Sequence, residues 1–165
     1  MEKYIAKIDG LAQRFVHLVA ECLALPADTF DAFKGQMSRL KFVKYPRSAP
    51  NSQGVGPHKD SAGLFTFLSQ DNTGGLQVLN KNGEWIDVPP IEGSLVINIQ
   101  QGFEAITGGV CAATTHRVIV RNSHNVSDVP ENSSNGLVLL GPNFPNTIQH
   151  SIFPRSPPEP DIGAT

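Results

Sequence analysis

The run Gly56-Pro57-His58-Lys59-Asp60-Ser61-Ala62-Gly63-Leu64-Phe65-Thr66-Phe67-Leu68-Ser69 sets an imidazole and a carboxylate two residues apart, directly ahead of an apolar and aromatic stretch. Leu64–Ser69 reads as a β-strand. Outward from it, Gly75–Leu79, Trp85–Val88, Ser94–Ile99 and Thr114–Val120 read as further strands, and Leu40, Phe42 and Tyr45-Pro46 mark an extended segment upstream. The intervening Asp71-Asn72-Thr73-Gly74-Gly75, Asn80-Lys81-Asn82-Gly83 and Pro89-Pro90-Ile91-Glu92-Gly93 are turn sequences. Short strands at this spacing build a sandwich, a jelly roll or a barrel.

Ahead of the strands the period is helical. Ile5, Ile8, Ala12, Phe15, Val19 and Cys22 recur at three- and four-residue steps, with Leu11, Leu18 and Leu23 widening the stripe, so Tyr4–Leu23 reads as an amphipathic helix ended by Pro26. His17 lies at the stripe's edge and reads as a surface histidine. Asp28–Phe33 reads as a second short helix with Asp28 as its cap. At the other end, the six asparagines between Asn122 and Asn146 and the seven prolines between Pro130 and Pro160 predict irregular chain, in which only Leu137–Leu140 and Ile148–Phe153 have strand character. The expected organisation is a helical segment at 1–36, a β core at 37–123 and an Asn/Pro-rich tail at 124–165.

Composition narrows the function. The net charge of −2 and the lack of a Lys/Arg-rich run give no electrostatic reason to expect nucleic acid or an anionic membrane surface, so the expected partner is a small molecule. Cys22 and Cys111 stand alone, without a CxxC or Cys/His cluster, and read as reduced, buried thiols. No apolar run approaches a membrane span and no leader-like segment opens the chain, so a cytoplasmic protein is expected.

On an extended segment, side chains two apart share a face, so His58 and Asp60 can address one ion. A histidine on a distant strand, His116 in Thr114-Thr115-His116-Arg117-Val118, completes three donors. Two imidazoles and one carboxylate on one face of an octahedron leave three positions open, the ligand set of non-haem Fe(II) oxygenases. Zinc takes similar donors but prefers four-coordinate geometry. Alone, His-x-Asp plus one His also fits surface or core histidines. The surrounding sequence adds to it.

From His58-Lys59-Asp60 through Phe65-Thr66-Phe67-Leu68, Gln70-Asp71, Gly74-Gly75-Leu76-Gln77-Val78, Gly83-Glu84-Trp85-Ile86-Asp87-Val88-Pro89-Pro90 and Gly93-Ser94-Leu95-Val96-Ile97-Asn98-Ile99 to His116-Arg117-Val118, the chain resembles the isopenicillin-N-synthase-like branch of the Fe(II)/2-oxoglutarate-dependent dioxygenases. Leu23–Phe30 and Lys44-Tyr45-Pro46 extend the likeness upstream. The resemblance implies a mainly β chain with N-terminal helices and a double-stranded β-helix (jelly-roll) core, incomplete at its C-terminal strands. It implies Fe(II) on His58, Asp60 and His116, and 2-oxoglutarate as cosubstrate. It also implies dioxygen and a small-molecule substrate that is hydroxylated, desaturated or ring-closed, in the manner of secondary metabolism. Tyr45 would reach the keto acid, although a packed strand tyrosine reads equally well.

The likeness thins at both ends. In the family, a hairpin after the distal histidine leads to an Arg-x-Ser motif whose arginine grips the far carboxylate of 2-oxoglutarate, a pairing that is hard to replace. Arg121-Asn122-Ser123 has that form, which makes Arg121 and Ser123 candidates for the keto acid. The five-residue step from His116 would, however, put Arg121 on the opposite face of a continuous strand, as a surface arginine. Gln149-His150-Ser151-Ile152 is a second match, with Gln in place of Arg. Two functions compete: a working oxygenase, and a shortened, catalytically impaired remnant that binds metal or a partner only. A third, an oxidase of this family that uses no keto acid, needs no clamp.

Overall fold

The computed structural model describes residues 2–34, 39–45, 52–61, 63–120 and the strand at 137–140. Its elements run α1 (Glu2–Cys22), a 3-10 turn (Asp31–Phe33), β1 (Arg39–Phe42), β2 (Gln53–His58), β3 (Phe65–Ser69), β4 (Leu76–Leu79), β5 (Trp85–Asp87), β6 (Val96–Ile99), α2 (Gln101–Ile106), β7 (His116–Ile119) and β8 (Leu137–Leu140). Two antiparallel sheets form, in the orders β1-β8-β3-β6 and β2-β7-β4-β5. Successive strands alternate between the sheets from β1 to β4 and again from β6 to β8, the winding of a double-stranded β-helix, so the jelly-roll expectation holds. Strand β8 comes from the Asn/Pro-rich region. Its backbone pairs with β1 on one side, Lys41 opposite Val138, and with β3 on the other, Leu68 opposite Val138.

The alternation of β3 assigns its two faces. Phe65 and Phe67 point outward onto α1, where Phe15 meets their rings edge-on at centroid distances of 5.1 and 5.7 Å. Thr66 and Leu68 point inward, toward the cavity between the sheets. The apolar stripe of α1 explains its docking: Val16 and Ala20 are buried, and Ile8, Ala12 and Val19 pack around them. Edge-to-face ring pairs of this kind add specificity to the area buried. Below them, Phe30, Phe103 and Ile106 are fully enclosed and tie α2 to the same core, with the rings of Phe30 and Phe103 centred 4.9 Å apart.

The end of α1 is closed before Pro26 is reached. Leu25 N–H bonds to Ala20 O at 3.0 Å and Ala24 N–H to Glu21 O at 2.9 Å, the two bonds of a Schellman motif, with Ala24 in the left-handed region at φ 57°. The second short helix is a 3-10 turn at Asp31–Phe33, and Asp28 does not cap it; Phe30 stands at the cap position and no side chain makes a capping bond there. His17 is half-buried, held 3.0 Å from Asp31. Cys22 proves exposed, because it lies at the last turn of α1 on the stripe's margin, and Cys111 is half-buried; both are free. Among the described residues, no helix is long and apolar enough to cross a membrane.

Candidate metal centre

His58 is the last residue of β2 and His116 the first of β7, and the two strands pair antiparallel with these residues directly opposite each other. Residues facing each other across an antiparallel pair project to the same side. The imidazoles accordingly stand 4.3 Å apart, centroid to centroid, at one end of the cavity. Asp60 lies two residues beyond the end of β2, in extended chain. Its Oδ1 is 3.6 Å from Nε2 of both His58 and His116. One ligand atom from each of the three lies within 4.8 Å of the others. His116 is buried, Asp60 mostly so, and His58 stands at the opening with 40% of its side chain exposed.

Each donor is oriented by a neighbour. His58 Nδ1 lies 2.8 Å from Gly56 O and His116 Nδ1 lies 3.2 Å from Thr114 O. A carbonyl oxygen can only accept, so both Nδ1 atoms carry a proton and it is Nε2 of each ring that faces the third ligand. The carboxylate is held likewise. Thr66 Oγ1 donates to Asp60 Oδ2 at 2.6 Å, which leaves Oδ1 to face the histidines, and fully buried Gln100 donates from Nε2 to Thr66 Oγ1 at 3.0 Å. A ligand set at right angles around an ion, with bonds near 2.1 Å, would have neighbouring donors roughly 3 Å apart. Small side-chain rotations close the gap from 3.6 Å. Two imidazoles presenting Nε2 and a one-oxygen carboxylate therefore fit an Fe(II) that keeps open positions.

A second brace surrounds the ligand loop. Lys59 Nζ pairs with Glu104 at 3.1 Å, and Glu104 Oε2 also accepts from Ala113 N–H at 3.1 Å. Gln101 N–H bonds to Asp60 O at 2.9 Å. Helix α2 thus holds both the loop carrying Asp60 and the approach to His116. The cavity itself has a volume of about 300 Å³; Val55, Leu68, Leu76 and Val118 give it apolar walls, and Lys41, Tyr45 and Asn98 add polar groups. Burial raises the Tyr45 hydroxyl above its ordinary range.

The structure brings His58, Asp60 and His116 together and places Tyr45 on the same cavity. Arg121, Ser123 and the segment 149–152 lie outside the described residues. Reasoning from the sequence missed Thr66, Gln100, Glu104 and Lys41. Thr66 left a trace, as the polar member of an otherwise apolar strand on its inward phase. Lys41 left a similar one, in phase with Val43 and Tyr45.

Residues 34–127 match the profile of the 2OG-Fe(II) oxygenase superfamily. The chain is 47% identical over 125 residues to "2-oxoglutarate-dependent dioxygenase frbJ" of Dothideomycetidae sp. (strain 11243), a match covering 72% of this chain and 34% of that protein. It is 33% identical over 132 residues to 1-aminocyclopropane-1-carboxylate oxidase 1 of Oryza sativa subsp. japonica, covering 76% and 41%. Among solved structures, a 2OG-Fe(II) oxygenase family protein from Caulobacter crescentus superposes with a TM-score of 0.65 at 27% identity, over 84% of this chain and 44% of that one. The matches thus span about a third to less than half of these relatives. With its profile match covering more than half of its residues and the donor set in place, the chain belongs to the 2OG-Fe(II) oxygenase superfamily.

Proposed function

We propose that this chain is the iron-binding core of a 2-oxoglutarate-dependent oxygenase acting on a small molecule, with His58, Asp60 and His116 as the iron ligands. The supporting observation is the convergence of three donors within 4.8 Å, with both Nδ1 atoms and Asp60 Oδ2 engaged by other groups. In this family the bound Fe(II) and keto acid turn dioxygen into an oxidant able to take hydrogen from an unactivated C–H bond.

The chain's own part is positioning. The Gly56 and Thr114 carbonyls fix the tautomers of His58 and His116. Thr66 and Gln100 hold Asp60 in a single orientation. The apolar walls keep water from the oxidised carbon, and a cavity of about 300 Å³ suits a small substrate. Tyr45, half-buried on the cavity wall, would hydrogen-bond the keto acid. The Arg-x-Ser match adds Arg121 and Ser123, an assignment resting on that match alone. The competing reading, a remnant that binds metal without turnover, draws on β8, where Leu137-Val138-Leu139-Leu140 offers no cation.

The test is release of labelled CO2 from 1-labelled 2-oxoglutarate in air with added Fe(II). Release that depends on iron and is lost in His116→Ala supports the oxygenase. Stoichiometric Fe(II) binding without release favours the remnant, and failure to bind Fe(II) defeats both.

A further inference from the structure

Between the ligand loop and the core, one position has no room for a side chain. Gly63 is buried shortly after Asp60, and a Cβ built on it would lie 2.7 Å from Gln100 Oε1 and 2.9 Å from both Cδ and Nε2 of the same amide. Ordinary carbon contacts begin near 3.5 Å. The backbone of Gly63 is not in the left-handed region, so alanine is compatible with its conformation. The three nearest atoms in the way all belong to Gln100.

That side chain cannot step back as a whole. Gln100 N–H bonds to Leu64 O at 3.1 Å and Gln101 N–H to Asp60 O at 2.9 Å, so the backbone carrying it is tied to the ligand loop on either side of Gly63. Gln100 is fully buried, and its Nε2 donates to Thr66 Oγ1 at 3.0 Å. Its Oε1 has no hydrogen-bond partner among the described residues. An amide held by one hydrogen bond can swing about it, and the feature that limits the swing here is the close-packed backbone of Gly63. Thr66 in turn donates to Asp60 Oδ2 at 2.6 Å. We infer that Gly63 is a positioning residue of the metal centre: its bare backbone sets where the Gln100 amide lies, and through Gln100 and Thr66 it sets the rotation of the Asp60 carboxylate. The inference rests on the function proposed above and adds to it a residue that offers no side chain at all. Asp60 and Gly63 are near neighbours in the chain, yet the path between them runs out through β3 to the residue that follows β6.

The experiment is an optical Co(II) titration of the whole chain, with urea unfolding of each variant beside it. Gly63→Ala should raise the Co(II) Kd about tenfold, the lower end of what loss of a ligand's partner costs, because Thr66 keeps its hydroxyl but loses its fixed donor. The same increment should nearly vanish when Gly63→Ala is added to Gln100→Asn, whose shorter side chain leaves room for the methyl group. It should also nearly vanish in Thr66→Val, where the path is already cut. A role in packing alone would lower the urea midpoint and leave the Kd unchanged. An unchanged Kd in Gly63→Ala, or a tenfold increment that persists in Thr66→Val, therefore overturns the inference and leaves the iron site standing. Should Gly63→Ala not fold, Gln100→Met decides, since it fills the same space beside Gly63 without the donor. A Kd raised about tenfold there supports the path, and a wild-type Kd overturns it. A wild-type chain that takes up no Co(II) removes the proposed function itself, and this inference with it.

Discussion

Thr66→Val tests whether the carboxylate ligand is oriented or merely present. The substitution keeps the shape of a side chain only 2% exposed and deletes the one hydroxyl that joins Gln100 to Asp60. The 2.6 Å bond to Asp60 goes to a charged acceptor, worth about 2 kcal/mol, and its loss frees Asp60 to rotate. At 1.36 kcal/mol per decade, the metal Kd should rise about thirtyfold, within the range found when partners of metal ligands are removed. Gln100 Nε2 loses its acceptor in a fully buried setting, so the metal-free chain should also be less stable by about 2 kcal/mol after the added methyl's burial is set against it. The assay is an optical Co(II) titration paired with urea unfolding. Thr66→Ser restores the hydroxyl and should recover most of the affinity while losing about 1 kcal/mol of packing. Wild-type Co(II) affinity in Thr66→Val, with stability lowered, would refute the orienting role and leave Thr66 a packing residue.

Gly75→Ala should destabilise the chain by about 3 kcal/mol in urea unfolding, since Gly75 has φ 104° and an added Cβ would meet Ile119 O at 2.1 Å; an unchanged midpoint would show that β4 and β7 tolerate separation there. Ala24→Gly, at φ 57°, should raise stability by about 1 kcal/mol by relieving left-handed strain at the end of α1; a loss instead would mean that the Schellman turn is not maintained in solution. Asp31 is held below its ordinary value of 3.8, first by the hydrogen bond from Lys34 and then by that from His17. Because the folded value is the lower one, its contribution is complete above pH 3.8 and disappears as pH falls through that lower value. The stability gap between wild type and Asp31→Asn should therefore be present at neutral pH and vanish in acid, and a gap independent of pH would remove the carboxylate from the explanation.

Local pattern was enough for α1, for β3 to β7 within a residue or two at their ends, and for the pairing of His58 with Asp60. The elements it missed are those that depend on distant partners. Strand β2 contains Gly54, Gly56 and Pro57, poor strand residues, and it forms because β7 offers a ladder for it. Helix α2 is short and holds a glycine; its only local trace is Phe103 and Ile106 three apart, both fully buried. The position of β8 between β1 and β3 is not encoded in its four residues at all. Gln100 and Thr66, 34 positions apart, are brought together only when β3 and β6 pair.

From Gln53 to His58, strand β2 advances five residues while β7 advances three, from Ile119 to His116, and the surplus is taken up in two register shifts, one on each side of Val55. Val55 and His58, an odd number of positions apart, would face opposite ways on a regular strand, yet both line the cavity. The segment works as a parity device: the irregularity that absorbs one residue decides which way the histidine looks. Were the three steps from Val55 to His58 regular, the imidazole would turn toward solvent without a change in any ligand, whereas removing one residue there would leave two steps against the two from Val118 to His116 and keep it on the cavity side. In a protein of this build, the straightening of one strand can silence the metal centre as completely as a change in chemistry.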